Sequence, residues 1–331
     1  MIPLISGIHH VTAIAGDPQR NVDFYAGALG LRLVKLTVNF DDPGTYHLYY
    51  GDGVGRPGTI MTFFPWPGAP RGAVGLGQVG VTAFSVPPES LGFWRQRLEA
   101  HGVKTRGPAG RFGEQVLEFD DPDGLPLELV AVGTDARPGW NDGPVKAEHA
   151  IRGLHSVALA ERPPRDASER TLALLGASMN FRLVAESGDR LRYAMGDGSP
   201  GALVDVLLTA VPQGRSAAGT VHHVAWRTPD DAHQAAWRER IAAAGLDITP
   251  VRDRQYFRSV YFREPGGVLF EIATDPPGFA TDESPEHLGE RLRLPPWLEP
   301  KRSTIERSLP ILQLPKPPRR DQRASGSPEA P

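Results

Sequence analysis

The sequence reads as an α+β protein of four βαβββ modules that form two pseudo-symmetric barrel-like domains. Three observations carry this reading. The tripeptide His-His-Val occurs twice, at His9-His10-Val11 and His222-His223-Val224, each time opening an apolar, strand-like run. Four such runs recur, at 7–15, 78–86, 153–160 and 220–228. Each is followed by a helix-like stretch ending in Gly and then by three further strand-like runs. Aligned on the second histidine, the markers are His10, Gly80, His155 and His223, separated by 70, 75 and 68 residues. The helix-ending glycines are Gly30, Gly102, Gly176 and Gly245, separated by 72, 74 and 69. Two independent markers give one period, the signature of an internal repeat.

The elements follow in order. In module one Val22, Tyr25 and Leu29 fall at i, i+3 and i+7 before Gly30, and in module two Leu91, Trp94 and Leu98 do the same before Gly102. That spacing is one buried helical stripe and indicates core packing. A Gly just past a helix takes the left-handed conformation that ends it. The closing strands are 58–66, 123–131, 201–209 and 266–274, and they align Thr62, Glu128, Asp205 and Glu271. Modules one and two form an N-terminal domain over 4–133, and modules three and four a C-terminal domain over 150–275. Residues 66–77 and 133–152 are linkers. Residues 276–313 hold one helical segment and several prolines and are expected to wrap the domains. The stretch 314–331, polar and Pro-rich beyond 315, is expected to be disordered.

Composition excludes several classes. The 331 residues are 40% hydrophobic and 23% charged, with a net charge of −3, so no basic surface for nucleic acid is indicated. No apolar run approaches the roughly 20 residues of a membrane span. The opening MIPLISGIHH lacks the basic and apolar regions of a secretory leader, and a cytoplasmic location is expected. Cysteine is absent, which removes disulfides, zinc–thiolate sites and thiol nucleophiles together. With 37 Gly and 33 Pro the chain is rich in turns, as many short strands require. The sequence leaves open whether the chain forms a homo-oligomer.

His10, His223 and Glu271 offer two imidazoles and one carboxylate. That set suits a non-haem Fe(II) site with positions left open for substrate and oxygen. Two module pairings supply it differently. Modules one and four bring together His10, Thr62, His223 and Glu271, leaving one non-ligand. Modules three and four bring together His155, Asp205, His223 and Glu271, closing the metal with four protein ligands. The shared His-His-Val, the small polar Thr12 beside His10 and the degenerate ERPPRDASER after the third opening strand favour the first pairing. His155 alone reads as a hydrogen-bonded core histidine. Glu271, between Phe270 and Ile272, is costly to bury unless paired or metal-bound. Glu128 reads as a vestigial ligand or a solvent-facing residue. His9 and His222 point away from their neighbours if the strands are regular.

The βαβββ repeat with ligands on its first and last strands resembles the vicinal-oxygen-chelate superfamily of glyoxalases, bleomycin-resistance proteins and extradiol dioxygenases. Four segments resemble its hydroquinone dioxygenase type more narrowly: 9–25, 44–66, 253–279 and the stretch from Asp282 to Pro296. The resemblance spans about residues 4–313. It implies Fe(II), with Mn(II) as the alternative, held by His10, His223 and Glu271. It also implies that Tyr261 and Arg254 lie near the substrate.

The expected activity is oxidative cleavage of a hydroquinone or related aromatic diol by O2. Two neutral imidazoles and one carboxylate leave the site with a net charge near +1, which favours a phenolate. Tyr261, Arg254 and His222 are the expected catalytic residues, with Thr12 and His9 contacting substrate. Phe257, Phe262, Phe270 and Trp226 would exclude water, or serve as core. Two other classes remain at this point: a glyoxalase-like isomerase or lyase with another divalent metal, and a metal-free binding protein. Deleting residues 316–331 is expected to change neither melting temperature nor activity, since a polar Pro-rich stretch buries little. Calorimetry and turnover on the truncated chain check this; a clear drop in either would mean that the segment docks.

Overall fold

The structure, a computed structural model, describes residues 5–164 and 168–315. The four opening runs are strands β1 (Ile8–Ala15), β5 (Gln78–Val86), β9 (Gly153–Glu161) and β13 (Thr220–Thr228). The closing runs are β4 (Ile60–Pro65), β8 (Pro126–Ala131), β12 (Leu203–Leu208) and β16 (Leu269–Thr274). Each closing strand lies parallel beside the opening strand of its own module. Parallel neighbours need a long crossover, which the helix and two middle strands of each module supply. The middle strands are β2 (Arg32–Asn39) and β3 (Asp42–Gly51), β6 (Thr105–Arg111) and β7 (Glu114–Asp120), β10 (Arg182–Ser187) and β11 (Arg190–Ala194), and β14 (Arg252–Asp253) and β15 (Arg258–Arg263).

Two eight-stranded mixed sheets result, each a curled half-barrel. Their orders are β14-β15-β16-β13-β1-β4-β3-β2 and β10-β11-β12-β9-β5-β8-β7-β6. Both orders are palindromic in module terms, so each sheet has a pseudo-twofold at its centre. The sheets do not follow the sequence halves 4–133 and 150–275. The first joins modules one and four, the second modules two and three, through the antiparallel pairs β1–β13 and β5–β9.

Alternation sorts the first sheet's side chains between its faces. Val11, Ala13, Met61, Phe63, Val224, Trp226, Phe270 and Ile272 face the main core. There they meet Val22, Tyr25 and Leu29 from module one and Trp237 and Ile241 from α4 (Asp231–Ala243), which follows α1 (Pro18–Val22), α2 (Leu91–Ala100) and α3 (Glu169–Ala173) of modules one to three. Trp226, Phe262 and Phe270, entertained above as shields against water, all lie in this core, with Trp226 and Phe270 5.0 Å apart. The concave face carries Ile60, Tyr49, Ala225, Phe257 and Ala273 as a second, smaller cluster.

Module one's helix is not α-helical throughout. After α1 (Pro18–Val22) it widens into a π-helical turn (Asp23–Ala28) and ends at Gly30, φ 69°. Module three repeats this with α3 (Glu169–Ala173), a π-helical turn (Leu174–Ser178) and then Asn180, φ 60°. The left-handed position there belongs to Asn180 and not to Gly176, which lies inside the turn. Asn is the other residue that adopts this conformation readily.

Residues 276–315 wrap the first sheet. Lys35, fully buried on β2, pairs with Asp282 at 2.6 Å and with Glu283. Ile305 of α5 (Arg302–Ser308) is buried, and Tyr46 donates to the Pro310 carbonyl. Leu314, expected in the disordered stretch, packs on the core; residues 316–331 lie outside the described residues. Among the described residues no helix is long and apolar enough to cross a membrane.

The positions that matter for a metal behave differently in the second sheet. Glu128 is buried, and Arg111 grips both its oxygens at 2.7 and 2.8 Å. Asp205 takes hydrogen bonds from Arg190 and Arg192. His155 Nε2 stands 2.9 Å from Glu114, which also accepts from Arg192 at 2.7 Å. Guanidinium groups fill this half-barrel and neutralise its carboxylates. Glu128 is therefore neither solvent-facing nor free to bind a cation. Burial opposes ionisation of Glu114, but His155 and Arg192 outweigh it and hold the carboxyl down at about 2. A carboxyl depressed on folding stabilises the fold above its unfolded pKa, and that contribution is lost as pH falls towards the folded value. Glu114→Gln is expected to cost about 2 kcal/mol at pH 7, with the gap to wild type closing from roughly pH 4.5 downwards. Urea unfolding across that range checks it; a gap that stays constant to pH 3 would remove Glu114 from the ion-pair network.

Candidate metal centre

The β1–β13 pairing sets Val11 opposite Val224, His10 opposite Ala225 and Thr12 opposite His223. This symmetric register lays the two imidazoles diagonally across the seam, on the concave face. Beside β13, β16 brings Glu271 opposite Ala225, and β15 brings Tyr261 opposite Glu271. Three atoms converge. His10 Nε2 and His223 Nε2 are 3.2 Å apart, and Glu271 Oε2 lies 3.5 Å from the first and 2.9 Å from the second. All three residues are buried.

The triad fits a metal on its own geometry. Ligand atoms about 2.1 Å from a metal and at right angles stand about 3.0 Å apart. Glu271 Oε2 is buried and meets no group other than the two ligand nitrogens, a convergence of lone pairs that is costly in a core unless a cation takes it. The other oxygen, Oε1, accepts a 2.5 Å hydrogen bond from Ser259 Oγ, which fixes the carboxylate's direction. Burial works against ionisation of Glu271, but His10 and His223 prevail and hold its carboxyl well below the usual range. Burial lowers the pKa of His223, which suits a neutral ligand. Among the described residues this is the one cluster of three such groups.

The neighbouring histidines hold the ligands. His9 Nδ1 stands 2.9 Å from His10 Nδ1, and His222 Nδ1 stands 2.8 Å from His223 Nδ1. With Nδ1 engaged in each ligand ring, Nε2 is the nitrogen left for a metal. A register irregularity at His9 places its ring against His10 and Phe257 instead of simply away from the site. His9 does not line the cavity, and neither does Thr12, whose hydroxyl is spent on Thr62 at 2.9 Å. Both were expected to contact substrate; they support the residues that line the cavity. His222 does line it. Although part of His222 reaches solvent, packing around its ring and His223 beside it push its pKa to about 3, so it is neutral.

The cavity over the triad measures about 240 Å³. That is below the roughly 300 Å³ at which drug-sized pockets begin, and it suits a single ring. Phe40, Phe64, Trp66 and Phe257 supply apolar walls. Arg254 and Tyr261, both expected here, line it as well. Arg254 Nε donates to the Tyr261 oxygen at 3.1 Å and Arg254 Nη1 to Asp41 at 3.0 Å. Burial and Glu271 raise the Tyr261 pKa against the pull of Arg254, so the phenol keeps its proton. Sequence reasoning passed over His47 and Tyr49, which also line the cavity. A larger groove of about 520 Å³ runs past Trp140 and Gln313, but no histidine lines it.

The profile of the Glyoxalase/Bleomycin resistance protein/Dioxygenase superfamily matches residues 7–129 and 158–272. The chain is 52% identical to the "Putative ring-cleaving dioxygenase MhqO" of Bacillus subtilis, covering 92% of this chain and 95% of the relative. It is 34% identical to the chlorohydroquinone/hydroquinone 1,2-dioxygenase of Sphingobium indicum, covering 92% and 96%. Among solved structures, maize glyoxalase I superposes with a TM-score of 0.61 at 16% identity over 81% of this chain and 92% of the other, a likeness of fold alone.

His10→Ala and His223→Ala are each expected to abolish metal retention after loading and desalting, and Glu271→Gln to weaken it by replacing an anionic ligand with an amide. His155→Ala and Glu128→Gln should leave it intact. Metal content per chain decides; wild-type content in His10→Ala would break the pairing of modules one and four as the source of the site.

Proposed function

The chain belongs to the glyoxalase/bleomycin resistance protein/dioxygenase superfamily, and on that footing we propose that it is an Fe(II)-dependent ring-cleaving dioxygenase acting on a hydroquinone or related aromatic diol. The observation that carries the reading is the fourth symmetry position. Thr62 stands there, with its hydroxyl already bonded to Thr12 and to His47. A carboxylate at that position would close the metal with four protein ligands, the arrangement suited to isomerase or lyase chemistry. Three ligands on one face leave the other positions for substrate and oxygen. The naming of two relatives as ring-cleaving or hydroquinone dioxygenases supports the same reading.

Bound Fe(II) would supply a seat for a deprotonated ring oxygen and for O2, and a path for electrons between them. The protein's own groups do the rest. Arg254 occupies one lone pair of the Tyr261 oxygen, so the Tyr261 hydrogen is left to find an acceptor in the cavity. A substrate oxygen beside the triad is such an acceptor. Tyr261 thus binds and orients that oxygen and holds a proton that can move to it. The fixed positive charge of Arg254, anchored by Asp41, stabilises negative charge developing on the ring oxygens. His222 is neutral, and with Nδ1 taken up by His223 its Nε2–H is left as a hydrogen-bond donor at the cavity rim. The small aromatic chamber orients the ring and keeps bulk water from it.

Tyr261→Phe is expected to keep its iron and its fold while turnover falls about 10²-fold or more, the range for loss of a general acid–base group. Oxygen uptake on saturating hydroquinone, normalised to iron measured on the same sample, reads this out. Unchanged turnover per iron would reduce Tyr261 to a strand residue, and absence of uptake by the wild type on any diol would sink the proposed activity.

A further inference from the structure

The pseudo-twofold of the first sheet relates two polar pairs. On module four, Tyr261 faces Glu271 across β15 and β16, and on module one Tyr49 faces Thr62 across β3 and β4. Two residues before each tyrosine stand Ser259 and His47. Ser259 Oγ bonds the Glu271 carboxylate, and His47 Nε2 stands 2.8 Å from Thr62 Oγ1. The two halves keep one pattern, in which a third-strand residue bonds the closing-strand residue. Module four uses the pattern to aim a metal ligand. Module one has no ligand to aim, and its imidazole turns to the phenol instead: His47 Nδ1 is 2.9 Å from the Tyr49 hydroxyl.

Burial lowers the pKa of His47 well below its ordinary value, so the ring is neutral and has one donor and one acceptor nitrogen. Its two partners then fix a polarity. If Nδ1 carries the hydrogen, it donates to the Tyr49 oxygen, Nε2 accepts from Thr62, and the Tyr49 hydrogen is released to the cavity. If Nε2 carries the hydrogen, Tyr49 donates to Nδ1 and its oxygen accepts from the cavity. In either state Tyr49 offers a complementary partner to a hydroxyl, which is both donor and acceptor. Tyr49 is raised in pKa by burial and remains a phenol. His47 and Tyr49 line the same cavity as His10, His223, Glu271 and Tyr261.

Building on the proposed dioxygenase reading, we propose that Tyr49, positioned by His47, recognises a second substrate hydroxyl on the module-one side, distinct from the oxygen held beside Tyr261 and the metal ligands. The pocket therefore selects rings with two separated hydroxyls over rings with one. His47 acts through Tyr49 and is a positioning residue.

The test is anaerobic titration calorimetry of iron-loaded protein with hydroquinone and with phenol. Wild type should bind hydroquinone more tightly than phenol. Tyr49→Phe and His47→Phe should each weaken hydroquinone binding about tenfold, the scale of one buried hydrogen bond, and leave phenol binding and iron content unchanged. His47→Gln, whose amide again offers one donor and one acceptor, should recover most of the loss; a general disturbance of folding would weaken both ligands and would not be rescued. Equal hydroquinone affinity in wild type and Tyr49→Phe, or equal weakening of both ligands, would overturn the assignment while leaving the dioxygenase reading in place. Failure of wild type to bind either ligand would overturn both.

Discussion

Everything in the first half-barrel depends on the register of β1 against β13. Because Val11 faces Val224, His10 and His223 sit symmetrically on either side of the seam, each opposite a small residue, Ala225 or Thr12. Side chains alternate along a strand, so a slip of one residue would send both imidazoles to the opposite face. The register is held by the apolar residues between them. Val11 and Val224 are fully buried in the core, as are Trp226 and Phe270. The same alternation that buries the valines therefore presents the histidines, and core packing and ligand placement are one constraint.

The two half-barrels solve one electrostatic problem in different ways. Each buries acidic side chains on its closing strands, and an unpaired buried carboxylate costs several kcal/mol. In the second sheet Arg111, Arg190 and Arg192 answer Glu128 and Asp205 with direct ion pairs, and Phe112 stacks on Arg192 at 4.4 Å. In the first, among the described residues no lysine or arginine bonds Glu271; it is met by imidazoles and one serine. A guanidinium at that place would end the site's chemistry by occupying the position a metal needs. Duplication supplied two equivalent frames, and the placing of arginines decides which remains open.

Much of this was legible in the sequence because it is periodic. The repeat set the opening and closing strands to within a few residues, and the duplicated His-His-Val with Glu271 gave the triad and the module pairing that the sheet adopts. Phe262, Phe270 and Trp226 were open to correction by alternation alone: Phe270 adjoins Glu271, Phe262 adjoins Tyr261 and Trp226 stands three residues after His223, so each faces away from the site. His47 and Tyr49 were harder, since Tyr46-His47-Leu48-Tyr49-Tyr50 looks like any half-buried strand. Alignment of the third strands, Ser259-Val260-Tyr261 with His47-Leu48-Tyr49, carries the signal. The irregularity at His9 had no such signal, because it exists only relative to the partner strand. Gly176 misled because Asn180 performs the glycine's usual task.

The layer that backs the pocket wall comes from beyond the repeat, and a buried charge ties it in. Lys35 is fully buried under Tyr256, with its ammonium 4.9 Å from that ring. Its counter-charges, Asp282 and Glu283, both belong to the wrapping segment, and Asp282 also accepts from the Tyr256 hydroxyl. An ammonium without them would be an uncompensated buried charge, costing several kcal/mol, so docking of this segment is what compensates Lys35. Docking seats Phe279 5.1 Å from both Tyr49 and Tyr256. Gly55, at φ 70°, lies so near Phe279 that an added Cβ would stand 2.6 Å from the ring, so the aromatic seat is filled without slack. Tyr49 is thereby pressed between Phe279 and His47, and its hydroxyl has few directions left. The ion pairs that dock the wrapping segment thus also seat the ring that backs Tyr49 at the cavity.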